Sequence, residues 1–204
     1  MLDLLRYLVI VAAGYVLGNF STGVVVSRLQ AGLDIREHGS GNAGATNMLR
    51  VLGSRPALLT LLGDIAKGLL AVGVGTLLGG VRGGLAGGCA AVIGHDWPVF
   101  FGFRGGKGVA TSFAVVIILF PWQGLFALVV FAAILLKTRL VSLASILSAL
   151  CYAVLLCATH WADFTVCSLS LLLFVLVAFQ HRSNIARLRA GTESRLDFSK
   201  LAKK

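Results

Sequence analysis

Seven apolar stretches separated by short polar segments dominate this chain of 204 residues. Each stretch is continuous rather than alternating, which favours membrane-spanning helices over the strands of a barrel. Only 13% of the residues are charged and 57% are hydrophobic, which is more apolar surface than a soluble domain of this length can bury. The sequence therefore predicts an all-α, polytopic helical membrane protein built as a single domain, 1–204. The stretches lie at roughly 7–27, 56–79, 84–95, 109–120, 122–136, 140–158 and 164–180.

About seven transmembrane helices are expected, although three of the stretches are short. Pro121 and Trp122 interrupt 109–136, which is too long for one comfortable span. Counting its two halves separately gives seven spans. Merging or dropping two stretches gives five, and both counts stay open at this point.

The basic residues indicate how the chain is oriented. With seven spans and the N-terminus outside, the outer side holds only Arg6 and Arg82, and Lys67 falls within a span. Lys and Arg concentrate on the inner side of membrane proteins, so the N-terminus is predicted outside and the C-terminus inside. The net charge of +10 then indicates topology and anionic lipid rather than nucleic acid. The inner side holds Arg28, Arg36, Arg50, Arg55, Arg104, Lys107, Lys137, Arg139, Arg182, Arg187, Arg189, Arg195, Lys200, Lys203 and Lys204.

Three polar clusters fall on that inner side, at 40–50, 94–111 and 180–193. Small residues in the first cluster, and Gly105-Gly106-Lys107-Gly108 in the second, can present backbone N–H groups and a cation to an anion at the start of a helix. Each cluster has a plainer interpretation as well. The first could be an ordinary turn with Arg50 as a topogenic charge, the second an interfacial aromatic belt, and the third a basic helix on anionic headgroups.

Asp64 and Lys67 lie one helical turn apart inside the second apolar stretch. Charged residues at membrane depth are costly and usually paired. A structural ion pair and a direct contact with substrate are the two interpretations, and the spacing does not choose between them. A polar stripe on the first stretch is expected to face the bundle and consists of Asn19, Ser21, Thr22 and Ser27.

Four segments together resemble the PlsY family of bacterial acyl-phosphate:glycerol-3-phosphate acyltransferases. They are SGNAGATNMLR (40–50), GDIAKG (63–68), GHDWPVFFGFRGGKGVAT (94–111) and HRSNIARLRAGTE (181–193), and they cover nearly the whole chain in order. The resemblance implies a multi-pass enzyme of the bacterial inner membrane with a periplasmic N-terminus and an active site facing the cytoplasm. It implies transfer of a fatty acyl group from acyl phosphate to the sn-1 hydroxyl of glycerol 3-phosphate, giving lysophosphatidic acid and phosphate. Neither a cofactor nor a metal is implied, and the oligomeric state stays open.

The expected catalytic residues are His181, Asn184 and Ser40. His181 is the best candidate for the general base because the ordinary histidine pKa lies near neutrality, although a substrate phosphate could accept the proton instead. Ser40 is expected to donate a hydrogen bond, and Asn184 to orient the substrate or stabilise an oxyanion. Substrate phosphate is expected on Ser40, Gly41, Asn42, Gly44, Thr46, Asn47, Arg50, Arg104, Gly105, Gly106, Lys107 and Gly108, with His95, Thr111, Asp64, Lys67 and Glu193 in supporting positions.

Two other classes of membrane protein are alternatives to an enzyme. An organic-phosphate transporter would also have spans and anion-binding loops. Its binding site would lie near the midplane, however, whereas these clusters lie at one side, and no inverted repeat is visible. A structural membrane subunit leaves His181 and the two glycine-rich loops unexplained.

Overall fold

A computed structural model describes residues 1–198, and within that range the chain is helical with no strand. The all-α prediction is thereby confirmed. Short 3-10 turns at Ile35–Glu37 and Val99–Phe101 lie in the connections. The helices are α1 Leu2–Gly18, α2 Thr22–Ala31, α3 Ala45–Leu52, α4 Ser54–Asp96, α5 Val109–Leu119, α6 Pro121–Thr138, α7 Val141–Thr159, α8 Phe164–Gln180 and α9 Arg182–Arg189.

Several of these helices are long and apolar enough to cross a membrane. Within residues 1–198 the segments that satisfy both conditions are Leu2–Ala31, Ser54–Phe101, Pro121–Thr138 and Val141–Thr159. A fifth forms if Phe164–Gln180 and Arg182–Arg189, which meet at a bend of 61°, make one broken span. Many large apolar side chains on the outer faces are exposed, among them Leu8, Leu62, Leu125, Val154 and Val175. The chain is a multi-pass membrane protein.

The longest helix, α4, is a hairpin rather than a straight rod. Its backbone leaves helical geometry at Gly79 and Gly80, and Gly80 adopts a left-handed φ of 62° that favours glycine. The arms on either side, 54–78 and 81–96, fold back on each other, since a side chain at Gly75 would collide with the carbonyl group of Gly83. The two arms correspond to the separate apolar stretches at 56–79 and 84–95.

Close backbone contacts join α1 to the second arm of α4. A side chain at Gly14 would collide with the carbonyl of Gly87, and one at Gly18 with the carbonyl of Ala91. Small residues of this kind let membrane helices approach closely and gain dispersion contacts. Because both contacts advance in the same direction along the two helices, α1 and the second arm run parallel and end together.

The bundle has two chemically different ends. At one end Arg82, just after the hairpin turn, forms an ion pair of 3.0 Å with Asp163, which precedes α8. The three polar clusters meet at the other end, where α1, α5 and α8 have their polar termini. Of the basic residues predicted on that side, Lys200, Lys203 and Lys204 lie outside the described residues.

The first apolar stretch, expected as a span over 7–27, lies within the candidate span Leu2–Ala31, but a short break interrupts its helix. α1 ends at Gly18, and α2 begins at Thr22. The break frees the carbonyl of Phe20, which accepts a hydrogen bond of 2.9 Å from the ammonium group of Lys67. The expected polar stripe is buried at this break, because Asn19, Ser21, Thr22 and Ser27 are all shielded from solvent. The predicted interruption at Pro121 is confirmed, since α6 begins there.

Candidate active site

Arg36 ties the first polar cluster to the second. Its guanidinium group donates to the carbonyls of Phe101 and Arg104 over 2.5 and 3.2 Å. On its other side it forms an ion pair of 2.7 Å with Asp34, and this hydrogen bond holds the pKa of Asp34 below its ordinary value. Two loops that lie far apart in the sequence are therefore held as one surface.

Asn47 organises the first loop from inside. Its amide NH₂ donates to the carbonyls of Ile35, His38 and Asn42, and its oxygen accepts from the backbone N–H of Ser40 over 2.8 Å. The side chain is 2% exposed, and both its donor and its acceptor groups are engaged. It was expected to bind phosphate, but the geometry makes it a brace that shapes the loop.

The glycine-rich loop also differs from the expected cradle. The N–H of Gly105 donates to the carbonyl of Asp96 over 3.2 Å, and that of Gly106 to the carbonyl of His95 over 3.1 Å. These two donors are therefore not directed at a ligand. Gly108 takes a left-handed φ of 66° and α5 starts at Val109, so the anion-binding groups at this point are the Lys107 ammonium and the first N–H groups of α5.

A buried ionic cluster lies directly behind that loop. The ammonium of Lys67 forms an ion pair of 2.9 Å with Asp64 and contacts Nδ1 of His95 over 2.6 Å. With the carbonyl of Phe20 these contacts engage all three ammonium donors, so Lys67 has none left for a substrate. Asp64 and Lys67 could form a structural ion pair or contact a substrate directly, and the geometry favours the structural ion pair. The His95 ring touches Gly106, because any side chain there would collide with it.

Thr111 belongs to the same support. Its hydroxyl is fully buried and donates to the carbonyl of Asp64 over 3.2 Å, which joins α5 to the first arm of α4. Thr111, Lys67 and Gly108 line neither of the cavities described below. Their role is to hold the site together.

The third cluster is linked to the glycine-rich loop through Lys107. Its ammonium donates to the side-chain oxygen of Asn184, whose NH₂ donates to Glu193 over 2.6 Å. Glu193 also accepts from Ser142 over 2.8 Å and forms an ion pair of 2.8 Å with Arg187, which agrees with the supporting position expected for it. Burial alone would raise the pKa of Glu193, but these hydrogen bonds and the Arg187 charge outweigh burial and lower it.

His181 lies between α8 and α9 with its ring almost wholly buried. Nδ1 lies 2.7 Å from the carbonyl of Val177, so in the neutral ring Nδ1 carries the proton and Nε2 is the acceptor. Burial, helped by the positive charge of Lys107, lowers the pKa of His181 to about 4. The imidazole is therefore neutral at pH 7 and can accept a proton, although it is a weaker base than an ordinary histidine.

Two adjoining cavities open among these residues. The first, here called the apolar cavity, has a volume of about 390 Å³, with polar groups at one end and side chains of α5, α6, α7 and α8 along the rest. The second, the basic cavity, has about 310 Å³ and contains Arg104, Arg182 and Arg187. Ser40, Asn42 and Lys107 line both, so they mark the junction.

Most of the predicted site residues reach one of these cavities. The apolar cavity is lined by Ser40, Asn42, Gly44, Thr46, Asn47, Arg50, Asp64, His95, Lys107, His181, Asn184 and Glu193. The basic cavity is lined by Ser40, Gly41, Asn42, Arg104, Gly105, Gly106 and Lys107.

Two groups of lining residues were missed from the sequence. Arg182 and Arg187 line the basic cavity, although their segment also fits a basic helix on the membrane surface. Ser142, Ser145 and Ser148 line the apolar cavity, and their three-residue spacing in an apolar helix was a signal that could have revealed them. Within residues 1–198 no group of three or more His, Cys, Asp or Glu side chains converges to hold a metal.

The glycerol-3-phosphate acyltransferase family model matches residues 8–191. The chain belongs to this family. It is 46% identical over 182 residues to the glycerol-3-phosphate acyltransferase of Thermoanaerobacter sp. (strain X514), covering 89% of this chain and 91% of that protein. It is 40% identical over 206 residues to that of Clostridioides difficile (strain 630), covering 96% of this chain and 98% of the relative. The resemblance seen in the sequence is confirmed, and the family favours an enzyme over a transporter.

Solved structures agree with this family. One is a crystal structure of PlsY (YgiH), an integral membrane glycerol 3-phosphate acyltransferase, in its glycerol 3-phosphate form. It matches with a TM-score of 0.90 at 36% identity, covering 97% of this chain and 99% of that one. The lysophosphatidic acid form of PlsY matches with a TM-score of 0.86 at 35% identity, covering 96% and 98%.

We expect the acyltransferase activity to fall at alkaline pH as Lys107 loses its charge. Burial is the main cause that lowers its pKa to about 8, so its charged fraction falls from about nine-tenths at pH 7 to about half at pH 8. We expect kcat/KM, which reports groups of the free enzyme, to fall about tenfold per unit above pH 8. Lys107→Arg keeps its charge, so its lower activity should stay level from pH 7 to 9. An alkaline fall of equal size in both proteins would contradict the assignment.

Proposed function

We propose that this chain transfers a fatty acyl group from acyl phosphate to the sn-1 hydroxyl of glycerol 3-phosphate, releasing lysophosphatidic acid and inorganic phosphate. The observation that carries the proposal is the pair of adjoining cavities that share Ser40, Asn42 and Lys107. One cavity continues from polar groups into an apolar interior, and the other is polar and basic. This pairing suits one amphiphilic phosphate and one small, water-soluble phosphate.

The apolar cavity suits the acyl phosphate. Its acyl chain would lie between α5, α6, α7 and α8, where Phe113, Val116 and Phe174 form the walls. Its phosphate would meet Arg50 and Lys107 at the polar end, with the start of α3 behind them. The apolar walls thus match the methylene groups of the chain, and the polar end matches its phosphate.

The basic cavity suits glycerol 3-phosphate. Arg104, Arg182 and Arg187 are among the residues that line its volume of about 310 Å³. Charge-assisted hydrogen bonds to phosphate are stronger than neutral ones, and a planar guanidinium can bind two oxygens at once. With the phosphate held there, the glycerol hydroxyls extend toward the junction at Ser40 and Lys107.

The chemical step is an acyl transfer between oxygens. The sn-1 oxygen attacks the acyl carbonyl carbon, the new C–O bond forms, and the bond from that carbon to the phosphate oxygen breaks. Phosphate is a good leaving group once cations balance its charge, so Lys107 and Arg50 assist its departure. Ser40 and Asn42 at the junction are the donors proposed to steady the carbonyl oxygen during attack.

The hydroxyl proton has two possible acceptors. His181 lines the apolar cavity, and its Nε2 is unprotonated in the neutral ring, but a pKa of about 4 makes it a weak base. The negative charges of bound phosphates would raise that pKa and strengthen the base. The departing phosphate is the alternative, and it ends the reaction carrying the proton.

The identity of the acyl donor is tested directly with purified protein. Labelled glycerol 3-phosphate is incubated in detergent with palmitoyl phosphate, palmitoyl-CoA or palmitoyl acyl carrier protein. We expect lysophosphatidic acid from palmitoyl phosphate alone, with Lys107→Ala and Arg50→Ala each slower by about one to two decades in kcat/KM. Product from either thioester at a comparable rate would refute acyl phosphate as the donor.

We further propose seven spans, with a periplasmic N-terminus and an active site facing the cytoplasm across the bacterial inner membrane. The two arms of α4, and the separate helices α5 and α6, support counting seven crossings. The concentration of Lys and Arg at the end that carries the cavities supports its cytoplasmic orientation.

Single cysteines in a cysteine-free background test this orientation. Ser194 lies at the cavity end and Ala162 at the opposite end, and both are exposed. In intact cells with a permeabilised outer membrane, Ala162→Cys should react with an impermeant maleimide, whereas Ser194→Cys should react only after lysis. The reverse pattern would invert the proposed topology.

The pH profile of a His181 variant identifies the proton acceptor. With the wild-type pKa at about 4, its acidic limb in kcat/KM should lie well below the limb from substrate phosphate near pH 6. If His181 is the base, His181→Ala should lose about 10²–10⁴ in rate at all pH values above 5. His181→Asn, which can still donate to the Val177 carbonyl, should be equally slow. Near wild-type rates in His181→Asn would assign the proton to the substrate phosphate.

A further inference from the structure

One face of α7 follows the apolar cavity for most of its depth. Ser142, Ser145, Ser148, Ala149 and Tyr152 all line it, and their spacing of three or four residues places them on one side of the helix. Ser142 lies at the polar end, where it donates to Glu193. Tyr152 is ten residues further along, roughly 15 Å away at 1.5 Å per residue.

Tyr152 lies where the cavity ends and the packed core begins. Its side chain is 3% exposed and belongs to the same core cluster as Phe120, Leu156 and Val166, none of which lines the cavity. At this depth α6 contributes Ala127 and α8 contributes Leu173, which are also buried. The aromatic ring is therefore the largest side chain on the floor of the cavity.

The Tyr152 hydroxyl does not hold the ring in place through a hydrogen bond. It is buried, and within residues 1–198 it has no hydrogen-bond partner. The ring is held by packing alone, so its bulk is the property that shapes the cavity. A smaller side chain at this position would lengthen the cavity toward Leu156 rather than remove a polar contact.

We propose that Tyr152 sets the longest acyl chain that the enzyme accepts efficiently. The inference rests on the proposed function, in which the chain of the acyl donor occupies the apolar cavity. The terminal methyl group of a fitting chain reaches the ring, and a longer chain must displace packed core side chains. A single methylene that does not fit an apolar pocket changes kcat/KM by about 10- to 200-fold.

The test measures kcat/KM for saturated acyl phosphates from dodecanoyl to eicosanoyl in detergent. Its readout is the ratio of the longest to the shortest donor, which cancels general losses of activity. Tyr152→Ala, and the milder Tyr152→Leu, should raise this ratio about tenfold or more. Tyr152→Phe should leave it unchanged, because only the unpartnered hydroxyl is lost.

Two control variants make the readout specific to the cavity floor. Leu156→Ala removes a buried side chain from the same core cluster but does not line the cavity, so its ratio should match wild type. Ala149→Phe adds bulk one helical turn nearer the polar end and should lower the ratio.

Each outcome bears on Tyr152 separately from the reaction itself. If Ala149→Phe shortens the preferred chain and neither Tyr152→Ala nor Tyr152→Leu lengthens it, the chain leaves the cavity before the ring, and the inference is overturned. If no variant moves the ratio while wild type still acylates glycerol 3-phosphate, the chain lies elsewhere, so the inference is overturned while the proposed reaction stands. Absence of product from wild type with every acyl phosphate would refute the proposed function itself.

Discussion

The buried ammonium of Lys67 is the interaction on which the polar end of the bundle depends. It joins the first arm of α4 through Asp64, the second arm through His95, and the break after α1 through the carbonyl of Phe20. A charge at this depth persists only when its donors are engaged, and removal of one partner of a buried pair typically costs about 3–5 kcal/mol. His95 then supports Gly106 from behind, so the position of Lys107 depends on an ion pair whose ammonium group has no donor left for a ligand.

Close approach of the helix backbones makes this arrangement possible. Glycines on α1 and on both arms of α4 bring carbonyl groups to distances that any side chain would prevent. Dispersion between closely packed helices replaces the hydrophobic driving force that is missing in lipid. In the second half of the chain, α6 buries only Gly124 and Ala127. The apolar cavity lies among α5, α6, α7 and α8, beside the anion-binding end.

The site thus combines a polar junction with an apolar cavity. In the proposed reaction the cations and loop donors at the junction bind charged phosphate groups, while the apolar cavity continues among the membrane helices. His181 and Lys107 lie at this boundary, and their buried positions depress both pKa values, His181 to about 4 and Lys107 to about 8. A neutral imidazole beside a mostly charged ammonium at pH 7 suits the acylation of glycerol 3-phosphate.

The sequence alone determined the membrane class, the break at Pro121 and the gathering of three polar clusters at one end, because hydropathy and helix breakers act locally. It also predicted, with the family resemblance, that Lys107, His181, Asn184 and Ser40 belong to one site, and all four line the apolar cavity. Only the tertiary structure decided which groups remain available to a ligand. The N–H groups of Gly105 and Gly106 and the amide of Asn47 are engaged within the protein, whereas Arg182, Arg187 and Tyr152 line cavities. Hydrogen-bond partners such as Lys107 and Asn184 lie 77 residues apart, so no local pattern could assign them.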